Sequence, residues 1–546
     1  MSLTSVLHLR PALARLSTSP PRLLVSRVKA RAGPSYARSR LRFNSTQTSN
    51  STSPSPTPSQ QLYTLNEIDK LTTSIAQSSP KSTLHPSPLV MRAMPAPWLS
   101  SQTPNLASQG DTCSVPSSKQ SAENDATSSG SRGEEQEDLL RPRHMSESFT
   151  SFDLPLASDP KLYERYVNAS GGFRMGKLLE HLDSLAGAVA YRHCLPAPKP
   201  SDATDAASAF HEASSRAGLY LATASADRLD MFGRLNRENV RDLKFSGFVT
   251  WTGRSSLEVV VKMEGLKPSG SEKAGYKTLM LGRFAMVCRD SKTHKARAVP
   301  RLLVESEEEK VLWAIGEEHQ KRRKTSALNA LDKVPPSSAE ASELHDLMLQ
   351  VATAEEIDGE KVVPMKDTEL ETVQLMFPQD RNLHGKVFGG ILMRQPGVYR
   401  KVSLEHTANV AASVYHSELC FTNASLFAQG PMRFLSLDQI TFRLPVPIGA
   451  VLRLSSKVVK TTQPHEGPDG EAKVHILVRA EVEEVETGVR RETNTFYFTM
   501  AKEDHEPIGR VVVPSTYTEA MHYLEGKRRL EVGDEMRRLY QSGKAS

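Results

Sequence analysis

The chain has 546 residues, of which 38% are hydrophobic and 24% charged, and its formal net charge is +6. Nine of its 69 basic residues lie among the first 42, and no acidic residue precedes Glu67. The charge therefore belongs to the N-terminus and excludes a basic, nucleic-acid-binding body. The four cysteines form no CxxC pair, so neither a zinc site nor a disulfide framework is indicated, and no apolar run is long enough for a transmembrane helix.

The N-terminal quarter divides into two segments by composition. Residues 1–45 are rich in Arg, Ser, Ala and Leu and lack acids, which is typical of a mitochondrial transit peptide, although a disordered basic tail has the same composition. Residues 46–137 are rich in Ser, Thr and Pro and predict a disordered linker, because they bury too little apolar surface to order themselves. An apolar patch at 89–99 either packs on the folded body or belongs to that spacer.

Residues 168–187 predict a glycine-rich turn that opens a buried helix over 176–193. The leucines of this helix, together with Ala186 and Val189, share one face at helical spacing. Asp183 lies about 40° beyond Leu179, at the edge of that apolar stripe. A carboxylate placed half inside a core needs a partner or a function.

Strands dominate the sequence after this helix. The first set is predicted at 219–229, 243–249, 257–263 and 279–288, and a charged helix or linker follows at 305–324. A second glycine-rich turn at 382–390 precedes helix-forming residues. The second set of strands is predicted at 434–444, 450–459, 474–485 and 492–500, and a charged terminal helix at 516–546.

The two sets match in order and in detail. Asn168, Gly171 and Gly176 have the spacing Asn-x-x-Gly-x-x-x-x-Gly, which recurs within residues 382–390. Such an internal repeat predicts an α+β fold in which a curved antiparallel sheet wraps a central helix, twice, with the copies forming an intrachain pseudo-dimer. The predicted domains are 138–325 and 346–515, joined by a linker at 326–345 and followed by the helix at 516–546.

Four stretches of the chain, residues 166–193, 247–258, 365–394 and 437–442, resemble the mitochondrial double hot-dog acyl-coenzyme A thioesterases. The resemblance covers roughly residues 140–520. It implies tandem hot-dog repeats, each with a long central helix wrapped by a curved antiparallel sheet. It also implies hydrolysis of fatty acyl-coenzyme A to free fatty acid and coenzyme A in mitochondria, in the matrix or at the inner membrane. The thioester is the substrate, and neither a cofactor nor a metal is expected.

The resemblance implies a catalytic site shared between the repeats. In the family, an Asp on the central helix of one repeat faces an Asn in the turn of the other; Asp183 matches the first and Asn382 the second. Backbone N–H groups near Gly176, Gly389 and Gly390 would hold the oxyanion, because they are unpaired donors at a helix N-terminus.

The second half departs from the family pattern inside its central helix. Pro396 and the glycine after it should break the helix, and helical residues resume near Glu418. If residues 396–415 are looped out as an insertion, Ser417 takes the place that matches Asp183, and Glu418 stands beside it. The pseudo-site of Asn168 and Glu418 then lacks the matching carboxylate, so one active site per chain is expected. Sequencing the transcript would distinguish a genuine insertion from a gene-model artefact.

Thioester hydrolysis needs an activated water or nucleophile, an oxyanion stabiliser and an acyl pocket. Asp183 is suited to act as general base or as nucleophile, and Asn382 to orient the thioester and water. The simpler interpretations are an ion-pair or hydrogen-bond partner for Asp183 and a turn former for Asn382. His181 and His384 could be mistaken for catalytic bases, but His181 lies off the apolar face, and we expect a structural or surface role for it.

Contacts with coenzyme A are less sharply indicated. Arg254 lies in a turn that either is a plain hairpin or binds the coenzyme phosphates, and Arg394 and Lys386 are weaker candidates. The alternative function is a non-catalytic hot-dog module that binds acyl-coenzyme A or a protein partner. A hydratase or dehydratase is a third possibility, but those usually carry a catalytic His where this helix has Asp. We also expect a homo-oligomer, for instance a trimer of pseudo-dimers.

Overall fold

The structure is a computed structural model of the chain. It describes residues 65–78, 139–168, 171–195, 216–235, 239–266, 275–328, 330–331, 333–351, 355–357, 359–376, 416–444, 446–447, 449–467 and 469–545. All of them belong to one compact unit, Leu62–Ser546, and the residues of the other unit, Met1–Gln61, lie outside this set.

Seven α-helices occur in the described residues. They are α1 (Leu65–Ser78), α2 (Pro160–Glu164), α3 (Met175–Cys194), α4 (Glu307–Leu328), α5 (Ser338–Val351), α6 (His416–Ala428) and α7 (Tyr517–Ala545). The short helix α2 begins at Pro160, where the Asp159 carboxylate accepts hydrogen bonds from the backbone N–H groups of Lys161 and Leu162. No helix in this part of the chain is both long enough and apolar enough to cross a membrane.

The strands follow the predicted order. They are β1 (Arg143–His144), β2 (Thr150–Leu154), β3 (Leu219–Ala226), β4 (Leu229–Met231), β5 (Leu243–Thr252), β6 (Ser256–Leu266), β7 (Tyr276–Asp290), β8 (Leu302–Leu303), β9 (Glu356–Ile357), β10 (Glu360–Pro364), β11 (Leu370–Leu375), β12 (Met432–Leu437), β13 (Ile440–Thr441), β14 (Val451–Thr462), β15 (Lys473–Glu483), β16 (Arg490–Lys502) and β17 (Arg510–Val513). Twelve of them, β2–β7 and β11–β16, form one antiparallel sheet.

The first half of the described chain, β1 to α4, and the second half, β10 to α7, repeat the same order of elements. In each half the sheet runs from a short edge strand through three long strands to a bulged strand. The bulges fall at equivalent places, between Thr223 and Ser225 in β3 and between Phe434 and Ser436 in β12. A parallel pair also closes each half, β1 with β8 and β10 with β17. The predicted α+β class and the large antiparallel sheet are therefore confirmed.

The two halves join edge to edge. β12 pairs antiparallel with β4, and β13 with β3, so the strands of one half continue into those of the other. Arg228, between β3 and β4, reinforces this seam: it forms ion pairs with Asp230 and Asp438 and donates to the Ser436 hydroxyl. Arg228 is nearly buried, and these carboxylates hold the pKa of its guanidinium above its ordinary value against the effect of burial.

Helix α3 occupies the centre of the first half. Seventeen of its 20 residues are buried, as expected of a helix enclosed on all sides rather than packed by one stripe. Leu178, Leu182 and Leu185 are fully buried, and each contributes roughly 1.5–3 kcal/mol by leaving water. Gly247 of β5 lies against Val189 of this helix, and a side chain there would clash, since its Cβ would lie 2.7 Å from the Val260 carbonyl oxygen on the neighbouring strand β6.

One additional helix packs on each half of the sheet. The Glu309 carboxylate caps the start of α4 by accepting from the N–H of Glu305, and Glu519 does the same for α7 with Ser515. A charged network lies beneath α4, where Arg323 forms ion pairs with Asp227 and with the buried Glu258. Burial raises the pKa of Glu258 to about 7, against the opposing effect of Arg283.

Two predicted segments differ in the structure. Residues 65–78, placed in the disordered linker, form α1, because Ile68, Leu71 and Ile75 fall on one face and pack in a second apolar cluster with Phe149. Residues 338–351 form α5, which overlaps the predicted linker at 326–345. The helix expected at 176–193, the terminal helix and the other strands agree with the structure within a few residues at their ends, but the strand predicted at 434–444 divides into β12 and β13, and that predicted at 219–229 ends at Ala226, before β4.

Candidate active site

The turn before α3 is closed by its own asparagine. The Asn168 side-chain oxygen accepts from the N–H of Gly172, and the Asn168 N–H donates to the Gly172 carbonyl. Gly171 takes φ +83°, a conformation that favours glycine. The chain then enters α3 at Met175, so Gly176 lies buried in the first helical turn, where backbone N–H groups have no partner within the helix.

Asp183 lies in the middle of α3 and is completely buried. The hydroxyl of Thr223, on β3, donates to Asp183 Oδ1 at 3.0 Å. The same hydroxyl lies 3.4 Å from the sulfur of Met286 on the neighbouring strand β7. A carboxylate inside a core is costly unless hydrogen-bonded, so this contact both stabilises the group and fixes its orientation. Thr223 is not among the residues predicted for the site, because its strand was predicted without the bulge.

The corresponding position in the second half is Ser417. The register follows from packing on equivalent strands: Val189 of α3 lies against Gly247, and the Asn423 amide of α6 donates to Ser456 Oγ at 2.9 Å. Asn423 is six residues after Ser417, as Val189 is six after Asp183. Helix α6 therefore carries a buried serine at the position where α3 carries the carboxylate. This is the alignment of the two helices that follows when residues 396–415 are treated as an insertion.

A cleft opens between the turn at Asn168 and the start of α6. Arg174, at the end of that turn, pairs with Glu418 of α6 at 2.7 Å and so links the two halves. The cleft measures about 640 Å³ including its open mouth, and Ser417 and Phe421 also line it. The structure thus brings the predicted pseudo-site residues Asn168 and Glu418 to one cleft.

The partner predicted for Asp183 lies outside the described residues. Asn382, Lys386, Gly389, Gly390 and Arg394 all fall within 377–415, as does His384, so their roles stay predictions. Arg254, in contrast, lies within the described residues. It is exposed in the turn between β5 and β6, and its backbone carbonyl accepts a hydrogen bond from the N–H of Val299.

His181 is a structural residue rather than a surface one. It is buried, its Nε2 lies 2.7 Å from the Tyr166 hydroxyl, and its ring contacts Phe152 and Phe245 edge-on. Over the described ranges, no three His, Cys, Asp or Glu side chains are grouped to hold a metal ion. At the position expected of the catalytic group, the described residues place a fully buried carboxylate, Asp183, with a hydroxyl donor, Thr223.

Together, the repeated antiparallel sheet, the enclosed helix and the buried Asp183 define an α+β protein with a carboxylate on its central helix. Sequence relatives give the family. The chain is 31% identical over 396 residues to mitochondrial acyl-coenzyme A thioesterase 9 of Mus musculus, covering 71% of this chain and 79% of the relative. The human thioesterase 9 is 31% identical over 399 residues, with 72% and 79% covered. The chain belongs to the acyl-coenzyme A thioesterase family, as its motifs predicted.

A plant relative and two solved structures are also similar to the chain. The chloroplastic acyl-coenzyme A thioesterase 2 of Humulus lupulus is 32% identical over 389 residues, which cover 70% of this chain and 79% of that protein. Among solved structures, an acyl-CoA hydrolase from Staphylococcus aureus aligns with 34% of this chain and 96% of its own, at 20% identity and a TM-score of 0.26. An oleoyl thioesterase (putative) from Lactobacillus plantarum aligns with 65% and 96%, at 9% identity and a TM-score of 0.35. No protein-family model matches the chain.

Proposed function

We propose that the chain is a mitochondrial thioesterase that hydrolyses fatty acyl-coenzyme A to a free carboxylic acid and coenzyme A. The observation that carries the proposal is the wholly buried Asp183 on the central helix, held by Thr223, in a chain of this family. The names of the relatives support the substrate class, and those of the mouse and human proteins also support the compartment.

In the proposed reaction, the thioester carbonyl lies beside Asp183. The carboxylate either removes a proton from water, which attacks the carbonyl carbon, or attacks that carbon itself to form an anhydride that water then cleaves. In both routes the C–S bond breaks, coenzyme A leaves as the thiol after taking up a proton, and water supplies the new acid oxygen. Thr223 holds the plane of the carboxylate during these steps.

The remaining parts of the site come from the turn of the second half. We propose that Asn382 orients the thioester and water and that N–H groups near Gly389 and Gly390 stabilise the oxyanion, since a helix N-terminus offers unpaired donors. The corresponding group of the first half is Gly176, in the pseudo-site. Lys386 and Arg394, with the exposed Arg254, are the proposed contacts of the coenzyme phosphates.

We also propose that the two halves are hot-dog units, 138–325 and 346–515, forming an intrachain pseudo-dimer with one active site. The repeated element order and the seam at Arg228 support the pseudo-dimer. Ser417 supports a single site, because a serine hydroxyl is a poor base without an activating partner. We further propose that residues 396–415 are an insertion, that 1–45 direct import, and that pseudo-dimers associate, for instance as trimers.

The test is a panel of acyl-coenzyme A substrates of increasing chain length, with released thiol detected by a chromogenic disulfide reagent. We expect the wild-type protein to release thiol and the Asp183→Asn variant to retain its fold, measured by circular dichroism, while losing hydrolysis. Binding of acyl-coenzyme A without thiol release would favour the non-catalytic module instead. Undiminished turnover by Asp183→Asn would refute the assignment of this residue.

A further inference from the structure

Helix α1 is separated from the rest of the first half in the sequence but packs directly on it. It ends at Ser78, and the next described residue is Leu139. Ile68, Thr72 and Ile75 lie on one face of the helix, and each is at most 5% exposed. That face covers an apolar cluster on the side of the sheet opposite α3, which includes Phe149, Phe248, Val260, Leu281, Leu312 and Ile315.

Polar contacts fix α1 on this surface. The Asp69 carboxylate forms an ion pair with Lys262 at 2.7 Å and accepts a hydrogen bond from the Thr278 hydroxyl at 2.9 Å. Lys262, which also pairs with Glu264, donates to the Thr73 hydroxyl at 2.9 Å, and its side chain is nearly buried. Because such contacts depend on direction, they set one position of the helix, whereas apolar packing alone would let it slide.

The repeat in the chain gives α1 a counterpart. In both halves a short turn leads into the edge strand, at Met145–Ser148 and Met365–Thr368, and its last hydroxyl donates to the carbonyl of its methionine. Helix α5 precedes the second of these turns and is joined to α7 by an ion pair between Glu340 and Arg528. Helix α1 precedes the first turn and packs on α4, the equivalent of α7. By this order of elements, the first half begins at α1.

Helix α1 also contacts the second half. It packs on α7 as well as on α4, so it touches the outer helix of each half. Its removal would expose the apolar cluster beneath it to water, which destabilises the folded protein. The helix has 14 residues, and a segment of that length has little helical structure once it is cut from the chain. The contacts of α1 therefore require that it stays attached.

The import signal expected from the sequence ends before this helix. Arg42 is the last of the basic residues that mark the N-terminus, and residues 43–64 contain no charged side chain. The first acidic residue, Glu67, lies in the first turn of α1, where a carboxylate stabilises the helix through its dipole. The charge pattern of the import signal and the pattern of the folded protein therefore do not overlap.

We propose that α1 is a permanent part of the mature enzyme and that the peptide bond hydrolysed during import lies before Leu65. The proposal rests on the proposed mitochondrial location, since it concerns how an imported chain is shortened. A peptidase, with water as the co-reactant, releases the basic segment and leaves a new amino group ahead of the helix. The apolar cluster then stays covered, and α1 continues to contact the outer helices of both halves.

The first test follows the full-length chain into isolated mitochondria and determines, by mass spectrometry, the N-terminal residue of the protein recovered inside them. We expect a shortened chain whose N-terminus lies at or before Leu65. An N-terminus beyond Leu65, or an imported chain that is not shortened, would overturn the proposal. A chain that stays outside the mitochondria would refute the proposed location instead, and the second test would then decide the role of α1.

The second test measures hydrogen exchange in the full-length wild-type protein and in two variants. Backbone amides of α1 should exchange slowly in the wild type, about tenfold faster or more in Ile75→Asp, and within about twofold of the wild-type rate in Ser74→Asp. Ser74 is exposed, so this control introduces the same charge beside the buried position. Rapid exchange throughout α1 in the wild type, or equal changes in the two variants, would contradict the role of α1. If Ile75→Asp does not fold, the wild-type rates decide.

Discussion

Thr223→Val removes the hydroxyl that holds Asp183 while keeping the shape of the side chain. In the structure this hydroxyl donates to Oδ1 at 3.0 Å within a fully buried site, so no water replaces it readily. A hydrogen bond to a charged group contributes about 1.5–3 kcal/mol. If that interaction orients the carboxylate for reaction, its loss corresponds to about a 10- to 150-fold drop in kcat, at 1.36 kcal/mol per tenfold.

The assay is steady-state hydrolysis of one acyl-coenzyme A, followed by thiol release, alongside thermal unfolding. Thr223→Ser keeps the hydroxyl and should retain most activity. Ser225→Ala, on the other side of the bulge in the same strand, controls for disturbance of β3. A Thr223→Val enzyme that works within threefold of wild type would refute the orienting role, as would equal losses in Thr223→Val and Ser225→Ala.

Two further predictions concern buried charge. Arg228→Ala should lower the free energy of unfolding by about 3–5 kcal/mol in urea titrations, because Asp438 stays buried without its arginine, while Asp230 keeps its ion pair with Arg537. Arg443→Ala, whose 63%-exposed side chain pairs with Glu492, should cost under about 1 kcal/mol, and equal effects of the two variants would contradict this expectation. Burial lowers the pKa of His193 to about 4, so the fold favours its neutral form, and the stability this provides is lost as pH falls from 6.5 towards 4. His193→Gln should therefore reduce the stability difference between pH 7.5 and pH 5 by about 2 kcal/mol, and an unchanged difference would count against it.

The sequence predicted the framework well because periodicity reports burial directly. The leucines of α3 repeat at helical spacing, and the long strands β5, β6, β7 and β14–β16 lie close to their predicted positions. The repeated Asn-Gly-Gly spacing further indicated that these elements occur twice. Such patterns depend only on neighbouring residues, so they can be recognised in one sequence alone.

The parts of the site that were not predicted depend on contacts between segments that are distant in the sequence. Thr223 reaches Asp183 from a strand 40 residues away, and the bulge after it shifts the alternation of side chains, so its facing could not be predicted from the sequence. The contacts of Arg228 could not be predicted for the same reason, since its partners Asp438 and Ser436 come from the other half.

The helix α1 was missed for a different reason. Its apolar residues, Ile68, Leu71 and Ile75, occupy one face, but the flanking Ser, Thr and Pro dominate the average composition of the segment. The helix buries that face against Phe149 and Ile315, which belong to the folded body far along the chain. Its order thus depends on a surface that composition does not reveal.

We propose that a single carboxylate in each chain, Asp183 of the first half, is the catalytic group. Its most direct test compares kcat for acyl-coenzyme A hydrolysis in Asp183→Asn and Ser417→Ala, substitutions at equivalent positions of the two central helices. We predict loss of hydrolysis in the first, with the fold retained, and wild-type kcat in the second. Equal activity in the two variants, or loss only in Ser417→Ala, would contradict the claim.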